Sequence, residues 1–229
     1  NKFPDKWVDE DENKGKNLHE EFFLNENLKR NSIAGKFSYN KITNLSKGKK
    51  LLSNFNNLLE NNLNTIVYNF VDTLSHARTE MEVIKELAED ESAYRSLTLS
   101  WFKHSPLYDM MKRMSESSSK VFLTTDHGTI RVKSPTKIMG PKQTNSNMRY
   151  KVSKNLSYNK KHVMESLNPH ELMLPKNNLS SSYVFAKENN FFVYPNNYHQ
   201  FATLYNDTFQ HGGISLEEML IPYVFLSSK

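Results

Sequence analysis

Two short motifs in this 229-residue chain set imidazole and carboxylate beside glycine. Asp126-His127-Gly128 closes the apolar run "VFLTT", and His211-Gly212-Gly213 precedes "ISLEEMLIP". A third pair, Asp72 and His76, lies four residues apart at the end of another apolar run, "IVYNFV". Asp and His offer hard oxygen and imidazole nitrogen donors, a set that suits Zn²⁺ or Mn²⁺. The chain has no cysteine, so disulfides and thiolate sites are excluded and any metal must rest on His, Asp or Glu. Taken singly, each motif has an ordinary reading: an Asp N-cap with a helix histidine, a turn, a plain loop. Taken together, with three of only seven glycines placed in two of them, Asp72, His76, Asp126, His127 and His211 read as one metal-ligand set. Paired metals clamp the attacking and leaving oxygens in phosphoester displacement.

Such a set needs elements to hold it. Leu51, Leu52, Phe55, Leu58 and Leu59 recur at helical spacing and predict an amphipathic helix. Residues 66–71 predict a buried strand that ends at Asp72, with a helix starting near Thr73. Helical stretches follow over 79–90 and 92–116, the second broken before Pro106. Residues 120–126 predict the next strand. This alternation is that of an α/β domain with a largely parallel sheet, where ligands bind beyond the carboxyl ends of the strands. Asp72 and Asp126 are both expected at that end. Further on, 181–197 predicts a β-hairpin turned by Glu188-Asn189-Asn190, and 198–210 a short helix. Ser215 and Glu218 have capping-box spacing for a helix start, and "YVFLS" is the final strand. Residues 1–48 predict loops with short helices, their acidic run Asp9–Glu12 a solvated loop. Trp101, Phe102 and Leu107 with His104 read as core packing. His19, His162, His170 and His199 have no ligand-like company.

Hydrophobic residues make up 37 % of the chain and aromatics 12 %, enough for a real core and against global disorder. The length fits one large domain, or a medium one with an insertion. Net charge is +5. Between His127 and Met164 there is no acid, and nine bases lie there, from Arg131 to Lys161; the rest of the chain has 21 bases against 25 acids. Residues 131–180, poor in large apolar residues, predict a basic insertion or cap, partly mobile. With Tyr150 and Tyr158 interleaved, that segment also suits a polyanion such as an oligonucleotide, the plainer reading being a solvated loop. No apolar run approaches the roughly 20 residues of a membrane span, and no signal peptide opens the chain, so a cytoplasmic protein without membrane insertion is expected.

The three motifs together resemble the alkaline phosphatase superfamily. "TTDHGTIRV" with "QHGGISLEEMLIPYVFL" is similar to the PglZ domain. "FPDKWVDEDE", "GKNLHEE" and "RYKVSKNLSYN" resemble its PorX-like version, the output domain of a two-component response regulator. The resemblance implies a three-layer α/β/α sandwich of alkaline phosphatase type over 1–229, truncated at its N-terminus. It makes Asp72, His76 and His211 ligands of one metal, and Asp126 and His127 ligands of a second. Two zinc ions are implied, with manganese as the substitute. A further Asp and the nucleophilic Thr or Ser are expected upstream of Asn1, beyond them a receiver domain; Thr124 and Thr125 lie on the strand and do not replace the nucleophile. Thr129, Arg131, Arg149 and Lys154 are the candidate contacts to substrate phosphate. The activity implied is two-step phosphoester hydrolysis, on nucleotides or oligonucleotides among other substrates, in a homodimeric response regulator that controls secretion. The rival is a non-catalytic regulatory or dimerisation module contacting a transcription or secretion partner. A simple nucleic-acid binder ranks last, because it needs no ligand set.

Overall fold

A computed structural model of the chain describes residues 19–141, 144–175 and 181–228. The segment "FPDKWVDEDE", with Asp9–Glu12, and Lys142 lie outside the described residues. The rest divides into two units, one of residues 19–124 with 223–228 and one of residues 125–222, and each is described by itself.

The first unit begins with α1 (Glu20–Arg30) and β1 (Phe37–Ile42), followed by α2 (Leu45–Ser53), α3 (Phe55–Leu59) and β2 (Leu63–Tyr68). The apolar spacing of 51–59 therefore produces two helices, not one. The break is at Asn54, whose backbone N–H closes the end of α2 on the carbonyls of Lys50 and Leu51. β1 and β2 pair in parallel, Phe37 opposite Leu63 through Ile42 opposite Tyr68. Leu51, Phe55 and Leu58 of the two helices pack with Ile42 and Met110 in one buried cluster. Strand β1 has no counterpart in the sequence reading, because "FSYNKI" is too polar to stand out.

The strand expected at 66–71 sits three residues earlier, and the chain turns helical at α4 (Phe70–Glu80). Asp72 thus lies in the first turn of a helix rather than at a strand end. α5 (Glu82–Leu87) follows a break at Met81. Buried Arg78 of α4 closes the end of α5, its Nε donating to the Ala88 carbonyl at 2.6 Å and its Nη2 to that of Glu89 at 2.8 Å. α6 (Glu91–Lys103) starts on Asp90, whose carboxylate accepts from Ala93 N. α7 (Pro106–Ser115) starts on Ser105, with Pro106 in its first turn, as the expected break before proline requires. Trp101 stacks on Phe70 at 3.9 Å between ring centroids, in keeping with a packing role. β3 (Lys120–Thr124) completes this stretch.

The second unit carries β4 (Ile130–Arg131), β5 (Ser134–Met139), β6 (Tyr150–Ser153), β7 (Ser157–Tyr158), β8 (Val163–Ser166), β9 (Ser182–Ala186) and β10 (Asn190–Val193). Then come α8 (Tyr198–Tyr205), β11 (Phe209–Gln210) and α9 (Leu216–Met219). β9 lies between β6 and β8, antiparallel to both. β5 lies between β10, parallel, and β7, antiparallel. The segment expected to be a mobile cap is therefore woven into sheets, and the unit extends well beyond 131–180 on both sides. Its few large apolar residues are well placed: Ile138 and Val163 pack with Val184, Ala186 and Phe192, while Val132 packs with Phe191 and Val193. The expected hairpin at 181–197 is corrected too. Its turn exists, with Asn190 N donating to the Lys187 carbonyl at 3.0 Å, but β9 and β10 pair with different strands. Finally β12 (Tyr223–Ser227) returns to the first unit, antiparallel to β3. The architecture is mixed α/β with small sheets of two and three strands. Among the described residues no helix is long and apolar enough to cross a membrane.

Candidate metal centre

The second unit holds Asp126, His127 and His211. β4 and β11 pair antiparallel, Gln210 opposite Ile130, so the residues just before β4 and just after β11 emerge at one end of the ladder. That register explains why residues 84 apart in sequence meet: the imidazoles of His127 and His211 stack, centroids 4.0 Å apart and planes 11° from parallel. Nδ1 of His127 is 3.0 Å from the Gly128 carbonyl oxygen. A carbonyl only accepts, so this contact places the proton on Nδ1 and leaves the Nε2 lone pair for a metal. Asp126 is mostly exposed; its Oδ1 accepts from the His127 backbone N–H at 3.1 Å and stands 3.8 Å from His127 Nε2. Thr125 Oγ1 donates to the His127 carbonyl at 3.0 Å, which fixes the loop from the other side.

Behind the two histidines lies an ion pair that the sequence reading did not anticipate. Arg149 and Glu218 are buried, 0 % and 3 % exposed, and the guanidinium grips the carboxylate with two parallel bonds of 2.9 Å, Nε to Oε1 and Nη2 to Oε2. Nη1 donates to the Asn190 carbonyl. The same carboxylate accepts from Gly213 N at 2.9 Å and Ser215 N at 3.1 Å. Burial alone would push the Glu218 carboxyl up. The Arg149 hydrogen bonds and charge, with the two backbone amides, outweigh that and hold it below the usual carboxylate range. The legible signal was the capping-box spacing of Ser215 and Glu218, which announced a helix start but not a buried partner for Arg149.

The first unit holds the other two candidates. Asp72 and His76 are one helical turn apart on α4, with His76 Nε2 3.5 Å from Asp72 Oδ1, both side chains part-exposed. Their spacing puts both on one helix face. A carboxylate near the helix N-terminus is also favoured by the helix dipole. Within the second unit, two stacked imidazoles, one with its tautomer fixed by a carbonyl, and a neighbouring carboxylate are donors of the type that divalent zinc or manganese takes.

A family model described as the BREX system PglZ alkaline phosphatase-like domain matches residues 1–226. The chain belongs to the PglZ family. No functionally curated protein matches it. In this PglZ domain the residues expected to contact substrate phosphate fare differently. Thr129 is half-buried on the stretch between Gly128 and β4, and Lys154 is exposed just after β6. Arg131 forms an ion pair with Asp207. Arg149 is the clear correction: wholly buried and bound to Glu218 and Asn190, its guanidinium serves the fold and does not face a phosphate.

Proposed function

We propose that this PglZ domain is a metal-dependent phosphoester hydrolase. The observation that carries the reading is the family match over residues 1–226. The stacked His127–His211 pair, with its fixed tautomer, supports it. In this reading Asp72, His76 and His211 hold one ion, and Asp126 and His127 contribute to a second, zinc by preference and manganese as a substitute. Bound metals of this kind activate an oxygen nucleophile and neutralise charge on the phosphoryl group. The chain's own residues do the rest. The Gly128 carbonyl orients the His127 ring, and Thr125 anchors the loop that carries it. In this reading Thr129, Lys154 and Arg131, the last paired with Asp207, contact the non-bridging phosphate oxygens. The finer context, following the resemblance of "RYKVSKNLSYN" and its companions, is the effector domain of a cytoplasmic, homodimeric response regulator controlling secretion, its receiver domain phosphorylated on Asp.

The test is metal content of the full-length protein by elemental analysis after exhaustive dialysis, beside the Asp72→Ala and His127→Ala variants. About two zinc ions per chain are expected in the parent, lost stepwise in the variants. Hydrolysis of p-nitrophenyl phosphate and of its bis ester then separates monoester from diester activity. A folded, metal-free parent would retire the hydrolase. A non-catalytic regulatory module would replace it, a reading favoured by one observation: β3 and β12 expose Phe122, Tyr223 and Phe225, a ribbon suited to a protein partner.

A further inference from the structure

We propose that the buried Glu218–Arg149 pair is the positioning device that sets the His127–His211 ring stack for metal binding. The inference rests on the reading of these two histidines as ligands. Glu218 reaches both ligand-bearing loops at once. Its backbone carbonyl accepts from Gly128 N at 2.8 Å, one residue beyond His127. Its carboxylate accepts from Gly213 N at 2.9 Å, two residues beyond His211. Both glycines are required by this closeness. A Cβ on Gly128 would lie 2.0 Å from the Glu217 carbonyl oxygen, and one on Gly213 would lie 2.6 Å from Glu218 Oε2 and 3.0 Å from Arg149 Nε.

Arg149 adds a second path to His211. The residue's backbone N–H donates to Asn147 Oδ1 at 2.7 Å, and Asn147 Nδ2 donates to the His211 carbonyl at 3.3 Å. Gly212 lies between these anchors with φ +97°, and a Cβ there would meet Asn147 Nδ2 at 2.9 Å. The two loops thus meet on one residue: Glu218 holds the His127 loop through its backbone carbonyl and the His211 loop through its carboxylate, which the Arg149 guanidinium fixes in place.

Stability alone does not account for such a pair. Removing two charges from water is expensive, and well-packed apolar residues of similar volume often serve a core as well or better. What apolar residues cannot supply is the pair of directional bonds from the Gly213 and Ser215 amides to the carboxylate, which hold the His211 loop on the same residue whose backbone carbonyl holds the His127 loop. Metal sites depend on such outer contacts, and their loss typically weakens binding by about 10- to 100-fold.

The experiment uses the full chain with histidine-selective isotope labelling. Ring-proton signals of His127 and His211 are assigned through His127→Gln and His211→Gln, and zinc affinity is measured by calorimetry on the same samples. In the parent, both rings carry the mutual ring-current shift of the stack. Glu218→Gln is expected to abolish that shift and to lower zinc affinity about 10- to 100-fold, while cooperative thermal unfolding persists. Should Glu218→Gln fail to fold, the double variant Arg149→Met with Glu218→Leu removes both charges together, and the same two losses are expected. A folded variant that keeps either the stack or the parent's zinc affinity overturns the proposal. A parent that binds no zinc but loses its stack in Glu218→Gln removes the ligand reading and leaves the positioning role standing.

Discussion

At Gly128 a hydrogen stands where any other residue would put a carbon 2.0 Å from the carbonyl oxygen of Glu217. Gly128→Ala must therefore push backbone against backbone, and overpacking of this kind destabilises by about 1–3 kcal/mol. Chemical denaturation should report that loss, with zinc affinity falling as His127 is displaced; an unchanged midpoint would contradict the contact. The space beside this glycine is filled by the chain's own carbonyl. In the sequence Arg149 misleads. A base in an acid-free segment looks like a phosphate contact, and nothing local reveals its partner 69 residues away. The pair also predicts a pH dependence. Glu218 releases its proton more readily folded than unfolded, so between the two values the unfolded chain binds more protons. The pair's contribution is complete above the ordinary carboxyl value of 4.5 and is lost as pH falls through the lower folded value. An acid titration of thermal stability should fall more steeply in the parent than in the Arg149→Met, Glu218→Leu variant, and parallel curves would remove the pair from the acid transition.

Helices and strands show which of these signals the chain advertises. The break before Pro106 is legible because proline cannot continue a helix, and Ser105 does cap α7. The α/β alternation is legible from apolar periodicity, but its edges are not: Asn54 and Met81 interrupt helices that the pattern runs through. Nor is the weave of β5 to β8 legible, since its order comes from pairing with β9 and β10 and not from the residues of 131–180 alone. Arg78 supplies the prediction at this scale. Its buried guanidinium satisfies the carbonyls of Ala88 and Glu89, just past the C-terminal end of α5. Arg78→Met keeps the aliphatic stem and leaves those acceptors open, at about 1–3 kcal/mol for a buried group left without its partner. Hydrogen exchange should show residues 82–90 loosening before the rest of the unit. Uniform loss of protection would assign Arg78 to the whole core instead.

For the molecule as a whole, the decisive quantity is how much of the basic segment faces a polyanion. Its nine bases, counted in the sequence, suggest a continuous positive surface. The structure dismantles that count. Arg149 is bound to Glu218, Arg131 to Asp207, and Lys151 is 1 % exposed, its ammonium donating to the Asn145 carbonyl at 2.7 Å and lying over the Tyr194 ring. Among the described residues of the segment, the exposed cations are Lys133, Lys137, Lys154, Lys160 and Lys161. Counterion release then relates these cations to the salt dependence of single-stranded nucleic-acid binding. With about 0.7 ions released per neutralised phosphate, these five described lysines contribute about −3.5 to the slope of log K against log salt. Fluorescence anisotropy with a labelled oligothymidylate across a salt series measures that slope. Replacing Lys154, Lys160 and Lys161 by Gln should flatten it by roughly two, without altering zinc content. A slope nearer that of nine contacts would mean that the buried cations come out to bind, and a flat one would leave small phosphoesters as the substrate class that this domain's chemistry serves.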